Sequence, residues 1–346
     1  GTIDITVHEV VPNGVKEIEA ASGGGWGGTM VDKAFETLLI NIFGPVIYDR
    51  FKKEETEDWL DLWRDFEVKK RGVTHDKKGK INMKFPISFI NMFEKRNGNK
   101  LASAIASTKY AKDIAFSGDK LKFSPMVFQS LFNESVSLTI DHVKTLKTAM
   151  CVRTILMVGG YSESPMLQHA VKTTFKDLEV VIPLGASSTI LRGALVYGHS
   201  PEFITERVLK YTYGIECYLP FIHGVNEESK LVVTDKGEHC KQRFKKYVKK
   251  GEIVKKGQTF TDTFTPTNRS QKCIEFPVYA SELNSPVYTD QGCTYIGKMS
   301  LPLEDHDGDL NRSFNVTLQF SGTEIQVEGV DEKSKQNTNV SLNFLG

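Results

Sequence analysis

Residues 155–168 constrain the fold more than any other stretch, because an apolar run, two glycines and a helix start follow one another there. Residues 155–158 are all apolar and predict a buried strand. Gly159 and Gly160 come next, and Ser164-Pro165 supplies an N-cap and a first-turn proline for a helix. This order is typical of phosphate- or nucleotide-binding α/β proteins, although many α/β proteins that bind neither also have such a turn.

Composition and charge exclude several classes of protein. With 346 residues, 40% hydrophobic and 25% charged, the chain is long enough for two globular domains. Its net charge of +1 gives no overall electrostatic argument for binding nucleic acid or an anionic membrane. No apolar run approaches the roughly 18 residues that span a bilayer. Five scattered cysteines without a CxxC pair indicate free thiols, so we expect a cytoplasmic protein, which could also enter the nucleus.

The first residues predict a β-hairpin. Ile3, Ile5 and Val7 alternate with polar residues, and the turn signature Pro12-Asn13-Gly14 separates them from a second extended run. The chain enters this pattern without an initiator methionine, so we expect further natural sequence upstream. Five glycines then fall within residues 22–28, where a flexible loop and a second backbone cradle for phosphate are both open interpretations.

Helical spacing follows in residues 35–42 and again in residues 59–66. Glu67, Lys70 and Arg71 share one face of the second helix. Such a face is usually a solvated, salt-bridged surface, but the same residues can hold a ribose and a base. The mixed sequence from 73 to 117, with a strand and helix start near Phe85–Phe93, predicts a small outer subdomain.

The α/β pattern continues to about Gly198. Ser124-Pro125 begins one long helix or two joined helices, which lead into the strand at Ile155. We predict a short buried strand at residues 180–183 and a helix at residues 188–197, in which Gly193 and Ala194 indicate close packing.

Beyond residues 199–201 the pattern changes to short alternating strands, which predict an all-β sandwich. The expected strands are residues 253–264, 273–279, 295–301, 314–320, 325–327 and 340–344. Residues 241–250 are basic with interleaved aromatics, a composition that can bind single-stranded nucleic acid. A solvated charged loop is the preferred interpretation.

Taken together, the strand-Gly-Gly turn, the opening Gly1-Thr2-Ile3-Asp4 and the all-β tail resemble the 70 kDa heat-shock protein family, most closely its atypical 12A/12B branch. The resemblance implies an α/β actin-like (ribonuclease H-like) ATPase lobe followed by a β-sandwich. Residues 1–199 would be the second lobe of the nucleotide-binding domain, with its outer subdomain at about 29–117. Residues 200–346 would be a substrate-binding domain, and the first lobe would lie upstream of Gly1.

The resemblance also implies roles for the phosphate-side residues. Gly1 to Asp4 match the end of the second phosphate loop, so Thr2 and Asp4 would lie near the γ-phosphate, as the partial catalytic site, and Asp4 would contact the metal through water. Gly27 and Gly28 match the glycine pair near the phosphates.

On the nucleoside side, residues 67–71 resemble the family's Glu-x-x-Lys-Arg helix, which implies Glu67 on the ribose and Lys70 and Arg71 beside the adenine. Residues 158–165 resemble the adenosine motif, with Gly159, Gly160 and Tyr161 along the sugar and α-phosphate.

Three departures from the family pattern stand out. Tyr161-Ser162-Glu163 replaces the usual Ser-x-Arg, so an arginine that would stack on adenine is absent. Pro183-Leu184-Gly185-Ala186 replaces the Pro-Asp-Glu-Ala helix opening, and Phe203–Arg207 replaces the acidic, leucine-rich linker. Tyr213–Glu216 and Gln258-Thr259-Phe260 nevertheless resemble strands of the family's peptide-binding sandwich.

The resemblance therefore implies an ATP/ADP- and Mg²⁺-binding chaperone of the stress response, whose nucleotide state is coupled to extended polypeptide clients and which works with co-chaperones. ATPase activity is expected only of an intact protein with its first lobe, and this chain alone is expected to be inactive. One alternative is a catalytically silent pseudo-chaperone that acts as an interaction or signalling module. Another actin-fold enzyme, such as a sugar kinase, is disfavoured by the β-rich tail.

Overall fold

The computed structural model describes residues 1–303, 308–321 and 324–343. The chain divides into two compact units, one formed by Gly1–Asp4 with Gly23–Leu195 and the other by Ile5–Ser22 with Val196–Gly346. Its mixed α/β structure with several sheets is consistent with an actin-like lobe plus a β domain. The proposed boundary at residue 199 and the identity of each domain stay predictions. In the described part of the chain, no helix combines the length and apolarity needed to cross a membrane.

The helices lie between Gly28 and His199 and agree with the predicted helical spacing. Pro45 and Pro125 each stand at the start of a helix, where the missing N–H costs nothing. The Ser124 hydroxyl accepts a hydrogen bond from the Val127 N–H, as predicted for an N-cap. The helices are α1 (Gly28–Phe43), α2 (Pro45–Glu54), α3 (Thr56–Gly72), α4 (Ile87–Asn97), α5 (Leu101–Ala106), α6 (Pro125–Ser130), α7 (Asn133–Ala149), α8 (Pro165–Thr174) and α9 (Ala186–His199).

The strands that lie wholly within the first unit are short, whereas most of a long N-terminal hairpin, Ile5–Ser22, belongs to the second unit. That hairpin, β1 (Ile3–Val11) and β2 (Gly14–Gly24), confirms the turn predicted at residues 12–14. A three-stranded antiparallel sheet has the order β3-β5-β4, and β6 pairs in parallel with β7. These strands are β3 (Ile81–Lys84), β4 (Ile114–Ser117), β5 (Lys120–Phe123), β6 (Thr154–Leu156) and β7 (Glu179–Val181).

A phenylalanine-rich core holds α1 to α6 and the three-stranded sheet together. Phe35 of α1 stacks on Phe66 of α3 with ring centroids 4.0 Å apart, and Phe123 of β5 meets Phe35 edge-on. All three rings are buried, and burying one such side chain contributes about 1.5–3 kcal/mol. This core fixes α3, and with it Glu67, Lys70 and Arg71, against the start of α1.

Two strands predicted to be buried are covered on one face only, where Ile155 and Val180 pack against a buried cluster. Leu156 of β6 is 62% exposed and Val181 of β7 is also exposed, whereas Met157, just after β6, is buried. In the described residues β6 and β7 form a two-stranded sheet, so alternate side chains point to a face with no cover. The prediction that Gly193 and Ala194 pack closely is wrong, since a Cβ at Gly193 would meet nothing within 4 Å and Ala194 is exposed.

The C-terminal part of the second unit contains two antiparallel sheets that share one core. Their orders are β10-β11-β9-β14-β15 and β13-β16-β17-β18, and Ile215, Val278, Leu318 and Val327 are among the fully buried side chains between them. The strands are β9 (Thr212–Pro220), β10 (Leu231–Thr234), β11 (Gly237–Val248), β13 (Thr259–Phe264), β14 (Cys273–Ser281), β15 (Cys293–Pro302), β16 (Phe314–Ser321), β17 (Glu324–Asp331) and β18 (Asn337–Asn343). Phe344, the end of the last predicted strand, lies outside the described residues.

Two further segments of this unit differ from expectation. Residues 241–248 belong to β11 rather than to a charged loop, because they pair with β9 and bury Phe244 and Val248. The segment in place of the family linker forms β8 (Ile204–Val208), which joins β2 in parallel and β12 (Ile253–Lys255) in antiparallel. The five cysteines are free, as predicted.

Candidate functional site

The N-terminal segment lies against the glycine pair at the start of α1. The Gly1 nitrogen donates to the Thr29 hydroxyl (2.9 Å), which in turn donates to the Gly1 carbonyl (3.2 Å). A Cβ at Gly27 would come within 2.6 Å of the Gly1 carbonyl oxygen, so only glycine permits this contact. Gly27 is the N-cap of α1 and offers no side chain to the first N–H groups. The Met30 N–H donates to the Gly27 carbonyl over 2.9 Å, so the N–H groups before it and the positive end of the helix dipole suit a ligand.

Thr2 and Asp4 form a small exposed polar pair in this segment. The Thr2 hydroxyl donates to the Asp4 carboxylate over 2.7 Å. No group of three or more His, Cys, Asp and Glu among the described residues could hold a metal by itself. Mg²⁺ bound with a nucleotide usually keeps several waters and takes one or two carboxylates plus phosphate oxygens. Asp4 therefore fits a water-mediated contact to Mg²⁺ and not a protein-only metal site.

The three predicted residues of α3 form one ion-pair network with Asp32 of α1. The Lys70 ammonium lies 2.6 Å from Asp32 Oδ1 and 2.5 Å from Glu67 Oε2, and Arg71 Nε lies 2.7 Å from Glu67 Oε1. The Lys70 side chain is only 11% exposed, whereas that of Arg71 is 73% exposed. Arg71 therefore lies on a solvated surface, as the sequence pattern favours, whereas Lys70 is buried.

This network lowers the pKa of the Glu67 carboxyl group. Partial burial raises its pKa, but the hydrogen bonds and charges of Lys70 and Arg71 outweigh burial and hold the pKa below the usual 4.5. Each carboxylate oxygen already binds one cation, and a carboxylate has about four acceptor positions. Glu67 can therefore accept a further hydroxyl from a ligand. Asp32 was missed by the sequence reasoning, although a buried lysine on a predicted core helix requires an acidic partner.

The Gly159-Gly160 turn leaves its backbone open. Gly159 has φ of 87°, which strongly favours glycine, and its N–H donates to the Ala186 carbonyl over 2.8 Å. A Cβ at either glycine would meet nothing within 4 Å. Gly160 begins a 3-10 turn, Gly160–Glu163, which leads from the glycines to the start of α8 at Pro165.

The helix start at Ser164-Pro165 agrees only in part with the prediction. Pro165 is the first residue of α8, as predicted. Ser164 occupies the N-cap position, but its buried hydroxyl makes no cap bond and finds no partner in the described part of the chain.

The Tyr161 side chain lies beside Gly28, at the start of α1, and is held there by hydrogen bonding. Its hydroxyl shares a 2.8 Å hydrogen bond with the fully buried Ser135, which also donates to the Trp26 carbonyl. A Cβ at Gly28 would lie 3.4 Å from the Tyr161 ring. Burial raises the pKa of Tyr161, and the Ser135 hydrogen bond offsets part of that effect. Ser135 and Trp26 were not predicted, although Ser135 and Thr139 stand out as polar residues on the buried face of α7.

Glu163, which replaces the family arginine, has a structural role at α9. Its carboxylate accepts the Ser187 N–H over 3.0 Å, in the first turn of that helix, where a negative charge is favourable. This bond, and to a lesser extent the charge of Arg71, lowers the pKa of Glu163.

All four predicted segments therefore meet in the first unit. Gly1 contacts Gly27, Gly28 lies beside Tyr161 and Lys70, Lys70 binds Glu67, and the charge of Arg71 reaches Glu163. The cluster offers free backbone amides at one end, an exposed carboxylate and guanidinium at the other, and open glycine backbone near Tyr161. This arrangement suits binding of an anionic, hydroxyl-bearing ligand by positioned donors.

Comparison with known proteins shows which proteins the chain is similar to. No family model matches it. It is 32% identical over 355 residues to heat shock 70 kDa protein 12A of Mus musculus, and 32% identical over 363 residues to heat shock 70 kDa protein 12B of Homo sapiens. Both alignments cover 100% of this chain and 53% of the relative, so the chain spans about half the length of the curated relatives it matches. This similarity along the whole chain matches the resemblance to the atypical 12A/12B branch of the 70 kDa heat-shock protein family.

Proposed function

We propose that the first unit binds ATP or ADP with Mg²⁺, and that the β unit binds extended polypeptide as part of an atypical 70 kDa heat-shock-like chaperone. The observation that carries the nucleotide proposal is the meeting of Gly1–Asp4, Gly27-Gly28, Glu67–Arg71 and Gly159–Tyr161 in one cluster. These segments are up to 160 residues apart in sequence, and each matches a different part of the family's nucleotide site.

The residues of the cluster suit different parts of the nucleotide and its metal. The backbone N–H groups at the start of α1, with the α1 dipole, suit the phosphates, and Thr2 and Asp4 suit the metal-bound water beside them. Bound Mg²⁺ would neutralise phosphate charge. The backbone at Gly159 and Gly160 is open to the sugar.

Glu67 and Arg71 suit the nucleoside. Glu67 has acceptor capacity left for a ribose hydroxyl, and the exposed Arg71 guanidinium can lie against the base. The resemblance places Lys70 beside adenine, and its ion pairs suit a further role. Held between Asp32 and Glu67, it orients the Glu67 carboxylate.

The polypeptide proposal rests on apolar side chains in two neighbouring loops of the β unit. Ile222 and Val225 lie between β9 and β10, and Leu283 and Val287 lie between β14 and β15, all at least half exposed. The loops are joined by a hydrogen bond from the Glu227 N–H to the Tyr288 hydroxyl (3.2 Å). Exposed apolar groups on a fixed frame suit an extended, partly apolar chain.

A catalytically silent interaction module is the second candidate. Glu163 stands where the family has a base-stacking arginine, and its carboxylate is already used at α9. Such a module would bind ADP weakly or not at all and would not turn over ATP. Turnover by the full-length protein that a Thr2→Ala Asp4→Ala variant lacks would exclude this candidate.

The deciding experiment replaces Gly160 with valine. A Cβ fits there in the free protein and Gly160 lacks a positive φ, so Gly160→Val should fold normally and obstruct only a ligand. We expect ADP affinity of the full-length protein, measured by calorimetry, to fall at least about tenfold, or about 1.4 kcal/mol. Gly79→Val is the matched control, since Gly79 is equally open but lies in another loop. Equal ADP affinity in Gly160→Val and Gly79→Val would overturn the assignment.

A further inference from the structure

A lysine-rich surface covers one side of the three-stranded sheet and the groove beside it. The groove lies between α3 and β3 and is lined by Val68, Lys69, Gly72, Val73, Lys77, Lys80, Ile81 and Asn82. It continues onto the outer face of the sheet, which carries Lys84, Lys120 and Lys122. We call these six lysines, at positions 69, 77, 80, 84, 120 and 122, the lysine surface.

The strand register places these lysines on the same face. Ile81 and Met83 of β3, and Leu121 and Phe123 of β5, point into the phenylalanine core. The intervening residues therefore point outward, with Asn82 opposite Lys122 and Lys84 directly opposite Lys120. Like charges directly across two strands are destabilising, so the fold tolerates an unfavourable pair there.

The lysine surface is not neutralised by neighbouring acids. The Lys69 ammonium pairs with Asp65 at 3.1 Å, and Asp65 also accepts the Lys84 backbone N–H over 3.2 Å. Within the described ranges, none of the other five lysine ammonium groups has a carboxylate oxygen within 4.0 Å. Residues 73–85 and 109–123 together contain eight lysines and three aspartates, in a chain whose net charge is +1. The positive charge is thus a local feature of this surface and does not reflect overall composition.

We propose that the lysine surface binds an acidic segment of a partner polypeptide. Charge complementarity calls for carboxylates, and the groove adds an apolar contact through Val68, whose surface is 66% exposed. Both fit a chain of acidic residues with an occasional apolar one.

Other polyanions fit less well. The outward positions of the sheet in the described residues are Asn82, Lys84, Ala115, Ser117, Lys120 and Lys122, with no aromatic ring on which bases could stack. An anionic membrane needs a projecting apolar face next to the basic one, whereas part of this surface is a concave groove.

The proposal does not depend on nucleotide binding. On α3, Glu67, Lys70 and Arg71 face the candidate nucleotide cluster, while Val68, Lys69 and Gly72 line the groove. The same helix thus contributes to two sites, and substitutions of the lysine surface should leave ADP affinity unchanged.

The test uses a fluorescein-labelled oligoglutamate peptide and the full-length protein, with anisotropy measured at low and moderate salt. The site variant is Lys80→Glu Lys84→Glu Lys122→Glu. The control variant, Lys95→Glu Lys172→Glu Lys176→Glu, makes the same charge change at exposed lysines of the same unit for which no ion pair is found in the described chain. ADP affinity and thermal unfolding of all three proteins verify that the fold is intact.

We expect the parent and control proteins to bind oligoglutamate with affinity that falls as salt rises, and the site variant to bind at least about tenfold more weakly. Phosphatidylserine vesicles and an oligothymidylate are run in parallel. The proposal is overturned if the parent does not bind oligoglutamate, if the control variant loses as much affinity as the site variant, or if only vesicles or oligothymidylate bind in a way that depends on these lysines.

Discussion

A Cβ added at Gly27 would lie 2.6 Å from the Gly1 carbonyl oxygen, while the same atom at Gly28 would be 3.4 Å from its nearest neighbour, the Tyr161 ring. The absence of a side chain therefore has a different structural consequence at each of these two adjacent glycines. Gly27 allows the N-terminal segment to touch the start of α1, whereas Gly28 leaves room beside Tyr161 and Lys70.

The first prediction compares alanine at these two positions. Gly27→Ala should lower the free energy of unfolding by about 1–3 kcal/mol, because backbone atoms of Gly1 and Thr2 must move to admit the methyl group. Gly28→Ala should stay within about 0.5 kcal/mol of the parent. Denaturant unfolding of both variants measures the difference, and equal losses would show that the contact at Gly27 does not exist in solution.

The second prediction concerns the buried hydroxyls beneath the cluster. Ser135→Ala leaves both the Tyr161 hydroxyl and the Trp26 carbonyl without their partner and should cost about 1–3 kcal/mol. Tyr161→Phe removes one bond while Ser135 keeps Trp26, so it should cost only about 0.5–1.5 kcal/mol. Thermal unfolding ranks the two variants, and a larger loss in Tyr161→Phe would contradict the network.

The third prediction separates a stabilising role of Glu67 from a ligand contact. Glu67→Gln should cost at most about 1 kcal/mol of stability at neutral pH, as expected for a partly exposed ion pair. The folded pKa of Glu67 lies below 4.5, so the stabilisation is present above that pH and is lost as pH falls through the folded pKa. The difference between parent and Glu67→Gln should therefore close on acidification.

A ribose contact adds a second, independent effect of the same substitution. ADP binding to full-length Glu67→Gln should weaken by about 1.5–3 kcal/mol, as for a lost hydrogen bond to a charged group. Calorimetry at neutral pH tests this, and unaltered ADP affinity would leave Glu67 with its stabilising role alone.

The fourth prediction is for a buried ion pair of the β unit. Arg312 and Asp331 are almost fully buried, with Arg312 Nε 2.9 Å from Asp331 Oδ2, and Ser334 also donates to that carboxylate. Burial raises the pKa of Asp331, but the hydrogen bonds from Arg312, Ser334 and the Lys333 N–H hold it well below its usual 3.8. Arg312→Met should cost about 3–5 kcal/mol, because it leaves a buried carboxylate without its cationic partner.

The control for this pair is the double substitution Arg312→Met Asp331→Asn, which removes both charges and should recover part of the loss. Because the folded pKa of Asp331 is depressed, its contribution is present above pH 3.8 and disappears only as the pH falls through the lower folded value. Urea unfolding between neutral and strongly acidic pH measures both effects. A double variant less stable than Arg312→Met would contradict the account.

Much of the fold follows from local sequence. The Pro12-Asn13-Gly14 turn, the Ser124-Pro125 cap and the period-two strands of the β unit each depend on neighbouring residues, so the printed sequence predicts them. The family resemblance was likewise readable from motifs spread along the chain, and the comparisons confirm it.

Only the tertiary structure decides how exposed each predicted element is and which distant residues its side chains contact. Apolar residues 155–158 indicate a strand, but whether Leu156 is buried depends on which strands and helices cover β6. The roles of Lys70, Ser135 and Glu163 depend on Asp32, Trp26 and Ser187, which are 24 to 109 residues away. Hydrogen bonds and ion pairs act over a few ångströms in space, and a local pattern in sequence carries no information about which distant residue the fold brings within that reach.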